Sequence, residues 1–209
     1  PVNLDYSSEN ASAWGNYMYN VAMLLNDDAT MLYNSWVTDY VDEQGSHGPY
    51  ATIFKDQTAG AYQSPLSCIE EMIKSGMWNI ANEVGDAKIK DPYTKYTSGD
   101  KEGGLYAVES WYSWHSREDY SNNIVSICNA FCGVRSEALI SGAAIDKTQV
   151  AAQSLYAVLV SNGQQELADN TLTAIKNAYD KILAIPQPFR NHINSEQSLA
   201  AQEACSELS

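Results

Sequence analysis

The chain has 209 residues, 44% hydrophobic and 18% charged, which supplies enough apolar material for a packed core and excludes a disordered tail or a charge-rich coiled coil. Acidic residues outnumber basic ones 26 to 12, for a formal net charge of −14 with no cluster of Lys or Arg, and this balance excludes nucleic acid as the expected partner. No apolar run approaches the roughly 20 residues of a membrane-spanning helix, and Pro1-Val2-Asn3 lacks the charged start of a signal peptide.

Trp14, Tyr17, Met18, Val21, Leu24 and Leu25 recur three and four residues apart, which predicts a first helix from near Asn10 past Trp36. Residues 45–64, rich in Gly, Ser and Thr with Pro49, read as a long loop. Pro65 suits a first helical turn and opens a second helix, with Leu66, Ile69, Ile73, Met77, Ile80, Ala81 and Val84 on one face. Gly85 reads as its C-cap, and the stretch to Gly104, with Pro92 and Gly99, as loop. Tyr120, Ile124, Ile127, Cys128 and Phe131 predict a third helix that ends at Gly133. Residues 134–147 read as a linker and 150–160 as helix. Leu172, Ile175, Tyr179 and Ile182 mark another helix, stopped by Pro186 and Pro188, and Asn194 or Ser195 caps a last one through Leu208. No strand alternation is sustained. The expected fold is therefore all-α, an antiparallel bundle of five to six helices with long loops, forming a single domain over residues 1–209.

Cys68, Cys128, Cys132 and Cys205 contain no CxxC pair, and neither His47 nor His192 lies near them in sequence, so buried free thiols are expected rather than a structural zinc site. Cys128 and Cys132 share a helix face in poor geometry for a disulfide. Trp14, Tyr17 and Met18 read as core rather than a haem-facing stripe, and Asp39, Asp42, Glu43 and His47 as solvated surface rather than a cation site. Asn10-Ala11-Ser12 satisfies the glycosylation pattern, which chance also produces. No Ser-His-Asp or Cys-His order and no Gly-rich phosphate loop is recognisable, so no catalytic residue is assigned.

One stretch departs from helical periodicity. Residues 109–124 carry Trp111, Tyr112 and Trp114 beside His115, Glu118 and Asp119. Ser116 followed three residues later by Asp119 matches a capping box, which starts a helix here and turns its free amide groups toward the aromatic turn. Trp111, Tyr112, Trp114, Ser116 and Asp119 are accordingly the candidate ligand-binding residues. His115 and Glu118 are the candidate metal ligands, since an imidazole and a carboxylate three apart on a helix suit zinc or iron. With Ser116 as the cap, however, His115 lies outside the helix, and a structural role for the pair then outweighs the metal reading.

The run Ser-Trp-His-Ser-Arg-Glu-Asp-Tyr-Ser-Asn-Asn-Ile-Val-Ser-Ile from Ser113, the glycine at 133 and the later Ile185-Pro186-Gln187-Pro188-Phe189 resemble the second half of imelysin-like proteins. The resemblance implies a helical protein of the bacterial envelope, exported to the periplasm or lipid-anchored in the outer membrane. It further implies two related bundles, a link to iron or haem acquisition, and membership of a class of metallopeptidases. The signature Gly-x-His-x-x-Glu belongs to the first half of that family and has no copy here; residues 113–118 approach it with Ser113 in place of the glycine. The chain is thus expected to be the C-terminal bundle of a longer two-bundle protein, with the missing N-terminal bundle as its partner. Iron, haem or other envelope uptake proteins are further expected partners, and a divalent metal or iron the possible cofactor. The expected function is non-catalytic binding, with a metal-dependent peptidase or a helical scaffold as alternatives.

Overall fold

A computed structural model describes residues 9–57, 62–135 and 138–209. The chain divides into two compact units, Pro1–Cys68 and Ile69–Ser209.

In the first unit, α1 (Ala11–Val37) runs 27 residues, as its periodicity predicts, and ends at Thr38, whose amide and hydroxyl both donate to the Asn34 carbonyl at 2.7 and 2.8 Å. None of its residues is buried: Tyr17, Met18 and Leu25 are 62, 66 and 68% exposed, so Tyr17 and Met18 do not form a core. Apolar residues also stand on the other sides of this helix, at Tyr19, Met23 and Tyr33, and a unit of this size cannot cover them all. Residues 45–64, expected to be loop, hold the second strand of a hairpin and a helix. Strands β1 (Tyr40–Asp42) and β2 (Gly45–His47) pair antiparallel across a turn in which the Asp42 carboxylate accepts the Gln44 amide at 2.8 Å and Gly45 takes a φ of 124°. Helix α2 (Tyr50–Asp56) follows, and Tyr62 meets both Tyr50 and Phe54 edge-on. The acidic patch is surface, as expected; its Asp42 bonds to His47 at 2.8 Å, and that bond holds the Asp42 carboxyl below the usual carboxylate range.

Helix α3 (Pro65–Glu70) leads into the second unit, where helical backbone continues through Gly85 and Pro92: a wide-turned π stretch Glu71–Trp78, α4 (Asn79–Asn82), a second π stretch Glu83–Lys90, and α5 (Asp91–Thr97). Gly85 is therefore not a C-cap. It is buried inside the helix, where a Cβ would stand 3.0 Å from the Cys205 Cβ, so its lack of a side chain permits close packing. Pro92 is tolerated because the turn before it is already wide. Proline removes one i→i−4 bond and crowds the carbonyl four residues back, and here the Asp91 amide reaches back five residues to the Asp86 carbonyl.

Gly99, at φ 105°, reverses the chain into α6 (Lys101–Tyr106), capped by the Asp100 carboxylate accepting the Gly103 amide at 2.9 Å. Helix α7 (Ser116–Cys132) ends, as expected, at Gly133 in the left-handed conformation. The expected linker holds α8 (Ala138–Ser141), with Leu139 and Ile140 fully buried, and a 3-10 turn Lys147–Gln149. Helix α9 (Leu155–Ser161) starts later than expected because the buried Ser154 hydroxyl caps it, accepting the Ala157 amide at 3.0 Å. Helix α10 (Gln165–Leu183) is followed by a 3-10 turn Phe189–Asn191 and by α11 (Glu196–Leu208), capped by Ser195 as predicted. Helix α10 packs on α7, α9 and α11, and α11 packs on residues 79–90, an all-α arrangement. Ile124, Ile127, Ile175 and Ile182 lie fully buried between these helices, and Ile185, Phe189 and Ile193 fill the end where α10 gives way to α11.

All four cysteines are buried and free, as expected; Cys128 and Cys132 stand 4.0 Å apart. Burial pushes the Cys205 thiol up to about 12. Native protein is accordingly expected to resist an aromatic disulfide reagent at mildly alkaline pH and to release four equivalents only after unfolding, as followed by absorbance. Gly104 supplies a second check on packing. A Cβ there would meet the Tyr96 nitrogen at 2.8 Å and the Pro92 carbonyl oxygen at 2.9 Å, both backbone atoms that cannot swing away. Gly104→Ala is expected to lower the urea unfolding free energy by about 1–3 kcal/mol.

Candidate functional site

The turn between α6 and α7 is built around one carbonyl. Glu109 O accepts the Ser116 hydroxyl at 2.6 Å and the Tyr120 hydroxyl at 3.5 Å, which ties the start of α7 back to the chain that precedes it. Lys88 holds the same corner from the long helix, pairing with Glu109 at 3.1 Å and Glu83 at 3.4 Å and lying 5.9 Å from the Tyr120 ring. Burial, with the Glu109 charge adding to it, drives the Tyr120 hydroxyl well above the usual tyrosine range, so it stays protonated.

The expected capping box does not form. His115 occupies the N-cap position, Ser116 is the first helical residue, and no side chain caps α7. From that position the Ser116 hydroxyl donates to Glu109 O. Asp119 is left without a side-chain hydrogen bond among the described residues, its amide bonding to the His115 carbonyl at 2.9 Å.

The aromatic residues are brought together, by a residue the sequence did not single out. The Arg190 guanidinium lies 5.2 Å from the Trp111 ring and 5.1 Å from the Trp114 ring, and it donates to the Trp111 carbonyl at 3.2 Å. Tyr112 leans on Trp111 with ring centres 3.9 Å apart and is 82% exposed. Two residues of the turn, Ser110 at φ 58° and Trp114 at φ 66°, hold left-handed backbone that costs a non-glycine residue about 1 kcal/mol or more.

Glu118 is the centre of a second cluster. Its Oε1 accepts from Arg117 Nε at 3.1 Å and Nη2 at 2.8 Å, and from the Gln187 side-chain amide. Arg117 also reaches the Leu183 and Ile185 carbonyls at 3.3 and 3.4 Å. The other carboxylate oxygen, Glu118 Oε2, is buried without a hydrogen-bond partner. His115 is exposed at the helix start, and among the described residues no group of three or more His, Cys, Asp or Glu is placed to hold a metal ion.

The family model for imelysin matches residues 4–209. The chain belongs to the imelysin family. The crystal structure of an imelysin peptidase from Bacteroides ovatus is 48% identical to it, with a TM-score of 0.84 over 100% of this chain and 54% of that one. That of a putative iron-regulated protein A precursor from Parabacteroides distasonis is 34% identical, with a TM-score of 0.82 over 98% of this chain and 56% of that one. The chain thus spans about half the length of these imelysin-like relatives. No curated protein matches it.

Arg117, Gln187 and Arg190 were outside the candidate set read from sequence. A faint signal existed: Arg117 and Arg190 are two of only three arginines in the chain, and Gln187 and Arg190 lie within or beside the 185–189 run that carries the imelysin resemblance. Ser116→Ala removes a buried hydrogen bond, not a cap, and is expected to lower the unfolding free energy by about 1 kcal/mol in urea titration.

Proposed function

We propose that this chain is the non-catalytic binding domain of a longer imelysin protein of the bacterial envelope, serving iron or haem uptake, and that it binds through residues 111–119. The observation that carries the reading is Glu118 Oε2. A buried carboxylate oxygen with no partner bears a desolvation cost of about 1–3 kcal/mol or more, and a ligand or ordered water that donates to it recovers that cost. Trp111 and Trp114, clamped by Arg190, wall the same turn, and His115 stands exposed beside it as the candidate first metal ligand with Glu118. If a divalent metal or iron binds there, the chemistry these two residues offer is one imidazole nitrogen and one carboxylate oxygen.

The iron part of the proposal draws support from the similarity to a protein described as iron-regulated, and export from the word precursor in that description. A second bundle of the same polypeptide as partner is supported by the relatives' greater length and by the uncovered apolar sides of α1. The similarity to a structure described as a peptidase favours the alternative, hydrolysis. A metal hydrolase needs about three protein ligands plus water, and the described residues of this chain supply no such group.

Titration with haemin and, separately, with ferric citrate, followed by amide chemical shifts, tests the binding reading. Shifts centred on residues 111–119, weakened about tenfold by Glu118→Gln under conditions where the variant is shown to be folded, are expected. Shifts elsewhere, or none, defeat it. The chain is likewise expected to leave unfolded casein intact with or without zinc; turnover abolished by His115→Ala establishes the peptidase reading in its place.

A further inference from the structure

Away from residues 111–119, the turn that joins α9 to α10 holds the pair Asn162-Gly163, and no other asparagine of the chain precedes a glycine. Both residues are exposed, and Gly163 takes a φ of 76°, the left-handed conformation that glycine adopts freely after a helix end. Such a pair is open to self-attack, because the second residue has no Cβ to crowd the approach of its backbone nitrogen to the asparagine Cγ. Asn34 and Asn194 each precede a serine, whose Cβ stands in that approach, and Asn34 also lies within α1.

Two hydrogen bonds restrain the pair. The Asn162 side-chain amide donates to the Val158 carbonyl at 2.8 Å and the Gly163 amide to the Val160 carbonyl at 3.0 Å, so the nucleophile and the group it attacks are both tied to the last turn of α9. That helix has seven residues, none of them buried. A short surface helix end opens far more often than a core does, and opening here frees both groups together. The reaction then needs water and base alone. The Gly163 nitrogen loses its proton and bonds to Cγ, the Cγ–Nδ2 bond breaks, and ammonia leaves with a proton from water. Water then opens the five-membered imide at either carbonyl, giving aspartate at 162 or isoaspartate, whose main chain is one carbon longer. Either product adds a negative charge at the C-terminal end of α9, beside the Val158, Leu159 and Val160 carbonyls that end it, where the helix dipole disfavours an anion.

We infer that Asn162 is a site of spontaneous deamidation, gated by opening of the end of α9 and loosening that end once it has occurred. The test is incubation of the folded chain in mildly alkaline buffer, followed by digestion and peptide mass spectrometry. The amide-to-acid mass gain is expected at Asn162 ahead of every other asparagine, faster as the pH rises, and about tenfold or more slower than in the same chain unfolded in guanidinium chloride, because the two hydrogen bonds must open first. Asn162→Gln, which needs a larger and slower-forming ring, is expected to abolish the gain at this position, and its exposed site leaves the fold intact. Asn162→Asp, which carries the charge of one product, is expected to melt at a lower temperature than Asn162→Gln. No gain at 162, an earlier gain at another asparagine, a rate in the folded chain equal to that in guanidinium chloride, or equal melting temperatures for the two variants overturns the assignment.

Discussion

Arg117 fastens the start of α7 to the end of α10. It leaves α7 in the first turn and donates to the Leu183 and Ile185 carbonyls, where α10 has run out of amide partners of its own. A guanidinium is always charged and has five donors in a fixed fork, so it can serve two carbonyls and a carboxylate at once. Glu118 accepts from Nε and Nη2 and adds Gln187, which fixes the chain leaving α10. The path of residues 183–189 then brings Phe189 against Tyr120 and Arg190 between the two tryptophans. Remove the fork and the end of α10, the start of α7 and the aromatic turn lose their common anchor.

The same economy explains why so much polar chemistry sits beside a dry core. Tyr120 is fully buried, yet its hydroxyl, the Ser116 hydroxyl and the Lys88 ammonium all converge on Glu109, through its carbonyl or its carboxylate. Each group satisfies another, leaving Glu118 Oε2 as the buried side-chain oxygen without a partner among the described residues. Buried polar groups are paired almost throughout folded proteins, so this oxygen stands out as an exception.

How far the sequence revealed this depends on distance along the chain. Helix α7 and its end at Gly133, and α11 with its Ser195 cap, rest on local periodicity and local hydrogen bonds, and both were legible. Gly85 and Pro92 misled because each is a helix breaker only in isolation; Gly85 is explained by Cys205, 120 positions later in the chain, and Pro92 by a change in turn width that period-3.6 reading does not register. The hairpin at 40–47 has strands of three residues, too short to show alternation. At the site, the segment 109–124 was found from its composition, whereas the partners that shape it, Gln187 and Arg190, arrive from 69 and 79 residues away. Even the local capping box failed, because His115 takes the N-cap position and Ser116 is already the first helical residue, where its hydroxyl donates to the Glu109 carbonyl.

The left-handed backbone at Ser110 and Trp114 has a bearing on affinity. These conformations are held by contacts internal to the fold, so the free energy needed to order the turn is spent when the chain folds. A molecule that lands on it meets a surface already set, apart from the exposed Tyr112, and loses little of its contact energy to immobilising loop residues. Were the proposed ligand to associate at this turn, the fit of the two surfaces would govern its affinity, and selectivity among similar ligands would be a matter of shape more than of adaptability.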